Sequence, residues 1–93
     1  MRTINRTSQF KKDYKRESRG RHARTLDGDL IGVLELLIAD APLPVKLRDH
    51  PLSGEWSDHR DLHLRPDLVL IYRKPDEYQL DLVRLGSHSE LGL

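Results

Sequence analysis

The sequence predicts an α+β fold in which two N-terminal helices pack on a mostly antiparallel sheet of about four strands. Three observations carry this reading. Leu26, Leu30, Val33, Leu34, Leu37 and Ile38 recur at helical spacing. Arg60-Asp61-Leu62-His63-Leu64 alternates with the period of a strand. Two proline-containing turns, Arg65-Pro66-Asp67 and Lys74-Pro75-Asp76-Glu77, then divide the second half into three short runs. With 93 residues and neither an internal repeat nor a low-complexity tract, one domain covering residues 1–93 is expected.

The elements follow in chain order. Thr3 to Arg6 reads as a short first strand. Ser8 is a good N-cap for a helix running from Gln9 to about Ser18, before Gly20. Along this helix Lys11, Lys12, Lys15, Arg16 and Arg19 fall in one arc of roughly 140° at about 100° per residue, away from Phe10 and Tyr14. Such a face is either plainly solvated or tracks phosphates. Thr25 is placed to cap a second helix, with Asp27 and Asp29 in its first turn favoured by the helix dipole. Ala41-Pro42-Leu43-Pro44 ends it, because proline removes a donor and pushes the preceding residue toward extended geometry. Leu68 to Arg73 is apolar on both faces, as a central strand requires. Tyr78, Leu80 and Leu82 share one face of the last strand, and a tail begins at Gly86.

Composition narrows the function classes. The absence of cysteine removes disulfides, thiolate catalysis and Cys-type zinc sites together. No apolar run approaches the ~18 residues of a membrane span, and no apolar signal-like segment opens the chain, so no membrane role is expected. The net charge of +1 conceals an asymmetry. Residues 1–25 carry nine Lys or Arg against Asp13 and Glu17, whereas residues 26–93 carry seven against thirteen acids, so the two parts stand at +7 and −6. A polyanion-facing segment on an acidic body is the physical implication.

Five histidines are the other unusual feature, because an unperturbed imidazole titrates near neutrality and serves as acid or base. In the 59–64 run, strand period puts Leu62 and Leu64 on one face and His59, Asp61 and His63 on the other. A polar functional surface and an ordinary exposed strand face both fit that alternation. His59 and His63 lie ~13 Å apart along a strand at ~3.3 Å per residue, too far to share one metal ion directly, so no metal or other cofactor is expected. Hairpin closure brings Asp67 back toward the end of the strand bearing His63. His88 follows the last strand, and Ser87 and Ser89 beside it lack the elbow context of a nucleophile. A His and Asp constellation near a basic helix suits RNA cleavage. There the substrate's own 2′-OH attacks the phosphate, and the enzyme need only move protons and stabilise charge.

Asp49-His50-Pro51-Leu52-Ser53-Gly54-Glu55-Trp56, the run from Arg60 through Tyr72, and the closing Arg84-Leu85-Gly86-Ser87-His88 together resemble YafQ-type toxins of the RelE/ParE superfamily over nearly the whole chain. The resemblance implies a toxin of a bacterial type II toxin-antitoxin system, a metal-independent, ribosome-dependent endoribonuclease that cuts mRNA in the decoding site of the cytoplasmic ribosome. It implies a catalytic cluster of His50, Asp61, His63, Asp67 and His88, with His88 as general acid and His50 as the leading general base. Arg84 becomes a candidate for stabilising phosphate charge. Lys11, Lys12, Lys15, Arg16 and Arg19, with Arg21 and Arg24 beyond, become candidate contacts to ribosomal RNA. The implied partners are a cognate ribbon-helix-helix antitoxin, the ribosome and mRNA, with operator DNA reached only through the antitoxin. Alternatives on the same fold are a non-catalytic, gyrase-directed inhibitor of the ParE kind and an inactive antitoxin-binding relative. One departure stands out: the phenylalanine that follows the last histidine in the YafQ branch is absent, and Leu91-Gly92-Leu93 occupies this end.

Overall fold

The computed structural model describes residues 1–93. The strands are β1 (Thr3–Arg6), β2 (His50–Pro51), β3 (Arg60–Arg65), β4 (Leu68–Arg73) and β5 (Gln79–Gly86). The α-helices are α1 (Ser8–Glu17), α2 (Leu26–Ile38) and α3 (His88–Leu91). They form one five-stranded sheet in the order β1-β5-β4-β3-β2. All neighbours are antiparallel except β1, which lies parallel to β5. Relative to the sequence expectation the sheet gains the two-residue β2, and the tail after Gly86 folds into α3. No helix is long and apolar enough to cross a membrane.

Local chemistry accounts for each boundary. Thr7, one residue before the expected Ser8, caps α1: its hydroxyl accepts from the Phe10 N–H at 3.0 Å. Thr25 does occupy the cap position of α2 but makes no side-chain cap bond. The apolar stripe of α2 packs as its spacing predicts, with Leu26, Leu30, Val33 and Leu37 buried. They join Phe10 of α1 and Leu62, Leu64, Leu70, Leu80, Leu82 and Leu85 of the sheet in the main core. Each such leucine contributes ~1.5–3 kcal/mol by leaving water. A smaller cluster of Val69, Ile71 and Leu91 lies apart from this core, which explains why β4 is apolar on both faces.

One irregularity adjusts which residues share a face. Between β4 and β5 the register steps from Ile71↔Arg84 to Tyr72↔Leu82, so β5 carries one extra residue. Leu82 and Leu85, three positions apart, thereby both enter the main core. Tyr78 precedes β5 and is 68% exposed, so it does not share the buried face of Leu80 and Leu82.

The edge of β5 is completed by α1. β1 pairs with β5 only as far as Leu82, while β5 continues to Gly86. The Thr7 hydroxyl donates to the Val83 carbonyl at 2.8 Å. Asp13, fully buried, then accepts the Leu85 N–H at 3.0 Å and the Arg84 Nε–H at 2.7 Å. Arg16 donates to Asp13 at 3.1 Å and to the Leu85 carbonyl at 2.8 Å. Burial alone would raise the Asp13 pKa, but the bonds from Arg84, the Leu85 N–H and Gln9 outweigh it and hold the carboxyl below its ordinary value.

Asp13→Ala leaves these donors facing an empty site. The expected loss is ~3 kcal/mol, with a melting temperature lower by on the order of 10 °C or more in calorimetry. Because the Asp13 pKa is depressed in the fold, its contribution is fully present above the unfolded value and is lost as pH falls below about 4. Stability of the wild type measured from pH 6 down to pH 3 is therefore expected to fall more steeply than that of Asp13→Ala.

Candidate active site

Four separate pieces of chain converge on one site. β3 supplies Asp61 and His63, alternating with Leu62 and Leu64, which are committed to the main core. β2 supplies His50, which pairs opposite Asp61 in the antiparallel register. The turn between β3 and β4 supplies Asp67, and the first residue of α3 is His88.

His88 is held twice by one carboxylate. Its backbone N–H donates to Asp67 Oδ1 at 3.0 Å and its ring Nδ1–H donates to the same oxygen at 2.7 Å. The backbone bond and then the ring bond keep the Asp67 pKa below its ordinary value, so the carboxylate stays charged. With Nδ1 carrying a proton, His88 points Nε2 at His63 Nε2, 3.2 Å away, and one ring donates while the other accepts. The ring centroids of His63 and His88 are 5.1 Å apart, and those of His50 and His63 are 6.5 Å apart, so three imidazoles stand in a row.

His50 is oriented from behind. Its Nδ1 is 2.9 Å from the Arg48 carbonyl and 3.0 Å from Asp61 Oδ1. A single N–H cannot align on both acceptors. The carbonyl takes the hydrogen bond, and Asp61 Oδ1 remains buried without a donor. Nε2 of His50, on a half-exposed side chain, is then free to accept a proton. Burial raises the Asp61 pKa, against the pull of His50, His63 and His88. The buried Nδ1 of His63 likewise lacks a partner.

The segment before His50 is anchored by a network that sequence reasoning missed. Tyr72, buried at the end of β4, donates its hydroxyl to Asp49, and Arg60 binds the same carboxylate at 2.7 Å. Burial, and then the bond to Asp49, push the Tyr72 phenol well above its ordinary pKa. The available signal was a tyrosine directly after four aliphatic residues of β4, since a buried phenol needs a partner.

The last helix is built to fix His88. Ser87 and Glu90 form a capping box, and Gly92 ends the helix in the left-handed region at φ 71°. At Gly86 a Cβ would come within 2.8 Å of the Arg16 guanidinium and 3.2 Å of Glu90 Oε1, so those side chains would have to shift to admit one. Leu91, at the end where the YafQ branch has a phenylalanine, is buried with Val69 and Ile71 and does not present itself to a ligand. Leu93 is 42% exposed.

Not every predicted residue gathers here. Arg84 is bound to buried Asp13 instead of lying free near the histidines. Arg16, expected on the basic face, is tied to Asp13, Glu17 and Glu90. Lys11, Lys12, Lys15 and Arg19 remain exposed. Arg21, expected only as an outlying cation, lies 3.6 Å from Asp67 Oδ2, on the other side of the carboxylate that holds His88. His59, expected on the same strand face as His63, lies before β3, bonded to the Ser57 carbonyl and edge-on to Trp56 at 5.4 Å. No group of three His, Cys, Asp or Glu is arranged to hold a metal ion.

Comparison with known proteins matches this fold and sequence to one family. Residues 2–92 match the family model described as the bacterial toxin of a type II toxin-antitoxin system, YafQ. The mRNA interferase toxin YafQ of Escherichia coli strain B / BL21-DE3 is 38% identical over 91 residues, covering 97% of this chain and 95% of that one. The crystal structure of YafQ from the same strain superposes with a TM-score of 0.83 at 37% identity, covering 98% of both chains. The Escherichia coli DinJ–YafQ complex contains a chain that superposes with a TM-score of 0.79 at 35% identity over 98% of each. Sequence and fold agree over nearly the full length, and the chain belongs to the YafQ family of type II toxin-antitoxin toxins.

Proposed function

We propose that this chain is an mRNA interferase, an endoribonuclease whose His50, His63 and His88 row carries out acid-base cleavage of mRNA. The observation that carries the reading is His88, its tautomer set by Asp67 and its Nε2 directed at the neighbouring imidazole. In the reaction the substrate 2′-OH loses its proton to His50 Nε2 as its oxygen bonds to phosphorus. The bond from phosphorus to the 5′ oxygen breaks, and that oxygen takes a proton from His88 Nε2 in place of His63. The products are a 2′,3′-cyclic phosphate and a 5′-hydroxyl. Asp67 orients His88, Asp61 stabilises the charge that His50 gains from 3.0 Å away, and His63 faces the pentavalent phosphate. A gyrase-directed inhibitor has no use for such a row of imidazoles.

The exposed Lys11, Lys12, Lys15 and Arg19 suit docking on ribosomal RNA by phosphate charge, with little sequence information. Family membership and the DinJ complex of a relative support a cognate antitoxin as protein partner. We assign it to the ribbon-helix-helix class, through which the pair reaches operator DNA. Cleavage takes place on cytoplasmic ribosomes.

His88→Ala is expected to reduce cleavage on programmed ribosomes by a factor of about 10²–10⁴ and to abolish growth arrest, with circular dichroism and antitoxin binding unchanged. Undiminished cleavage by that folded variant overturns the assignment. Replacing Lys11, Lys12 and Lys15 by alanine is expected to make ribosome binding less salt-sensitive, lowering the slope of log K against log salt by about 2. Arg16→Ala, by contrast, is expected to lower the melting temperature, because its guanidinium is spent on Asp13 and the Leu85 carbonyl.

A further inference from the structure

A second polar feature adjoins the histidine row. A cleft of about 400 Å³ lies between Asp29 of α2, the 46–48 segment and the end of β3, with Lys46, Arg48, Arg65 and His63 in its lining. This is within the size range of ligand-binding clefts. His63 is common to both features: it bonds to His88 on one side and borders the cleft on the other.

The charges in the cleft are unequal in availability. Arg65 is held by Asp29 at 2.7 and 3.3 Å, so its charge is answered and its guanidinium fixed. Lys46 and Arg48 are exposed, and neither has a carboxylate within salt-bridge distance. They flank buried Leu47, which fastens the short 3-10 turn Val45–Leu47 to the main core. Arg48 sits in the left-handed region at φ 51°, a conformation that costs a residue with a Cβ about 1–2 kcal/mol. Its own carbonyl takes the His50 hydrogen bond. The backbone of one strained residue therefore orients His50 while its side chain lines the cleft bordered by His63.

We propose that this cleft is the seat of the single-stranded RNA backbone next to the scissile bond, with Lys46 and Arg48 as ligands of a flanking phosphate. The inference rests on the ribonuclease reading above and specifies where the substrate strand runs. Two unanswered cations beside an imidazole of the reaction centre suit a phosphodiester, which supplies the missing charge. An uncharged ligand leaves both cations without a partner. The fixed Arg65–Asp29 pair forms a polar wall that adds no net charge.

The test uses the full-length His88→Ala protein, which binds RNA without consuming it. A fluorescein-labelled single-stranded RNA of nine nucleotides is titrated and anisotropy is followed across salt. Lys46→Ala and Arg48→Gly are added together, glycine being chosen because it keeps the left-handed backbone and the carbonyl for His50. The expected result is about tenfold weaker binding at 0.1 M salt and a slope of log K against log salt lower by about 0.7, as loss of one phosphate contact requires. Unchanged affinity and slope overturn the proposal, as does failure of the His88→Ala parent to bind the oligonucleotide. So does a pair of substitutions that releases the antitoxin but not RNA, which makes the cleft a protein-docking site. Cleavage of mRNA on ribosomes by the wild type is scored separately, so loss of the ribonuclease reading and loss of the cleft assignment are distinct results.

Discussion

The buried carboxylate of Asp13 is the constraint on which the rest of the site depends. It stands where β5 has outrun its partner β1 and would otherwise leave an unpaired strand edge inside the protein. Five donor contacts from Gln9, Arg16, Arg84 and the Leu85 backbone converge on it. A charge so placed is costly alone and stable only when every partner is present. The arrangement fixes the last residues of β5 against α1, and His88 follows three residues after Leu85. Gly86 belongs to the same device, since the Arg16 guanidinium passes where a side chain would stand.

From that anchored end the histidine row assembles from elements far apart in sequence. Each imidazole has its own support: the Arg48 carbonyl for His50, His88 for His63, and Asp67 for His88. Asp67 is delivered by the tight β3–β4 turn and also faces Arg21. The Tyr72, Asp49 and Arg60 network does for the His50 segment what Asp13 does for β5. Such an arrangement holds the imidazoles and carboxylates on rigid elements, the pre-organisation that the proposed acid-base chemistry requires.

The basic first quarter divides into two jobs. Lys11, Lys12, Lys15 and Arg19 remain at the surface, where they suit long-range attraction of a polyanion. Arg16, although 41% exposed, is tied to Asp13, Glu17 and Glu90. Arg84 and Arg16 show why a count of cations does not map a binding face: a guanidinium carries several donors, and a buried carboxylate competes for them more effectively than solvent does.

The sequence by itself determined the fold class, the α2 stripe, the alternation of β3, the central position of β4 and the placing of Asp67 in the turn after β3. These follow from periodicity and turn chemistry, which are local. The motif likeness also named His50, Asp61, His63, Asp67 and His88, all of which converge. Only the tertiary structure decided that β1 lies parallel beside β5, that a two-residue β2 carries His50, and that the tail folds into a capped helix. It also decided that Arg84 and Arg16 serve Asp13, that Arg21 reaches Asp67, and that Arg48 joins His50 to a basic cleft. The reason is common to all of these. A strand edge, a buried carboxylate and a long cationic side chain each take whatever partner the folded chain brings within reach, and that partner is set by contacts tens of residues distant.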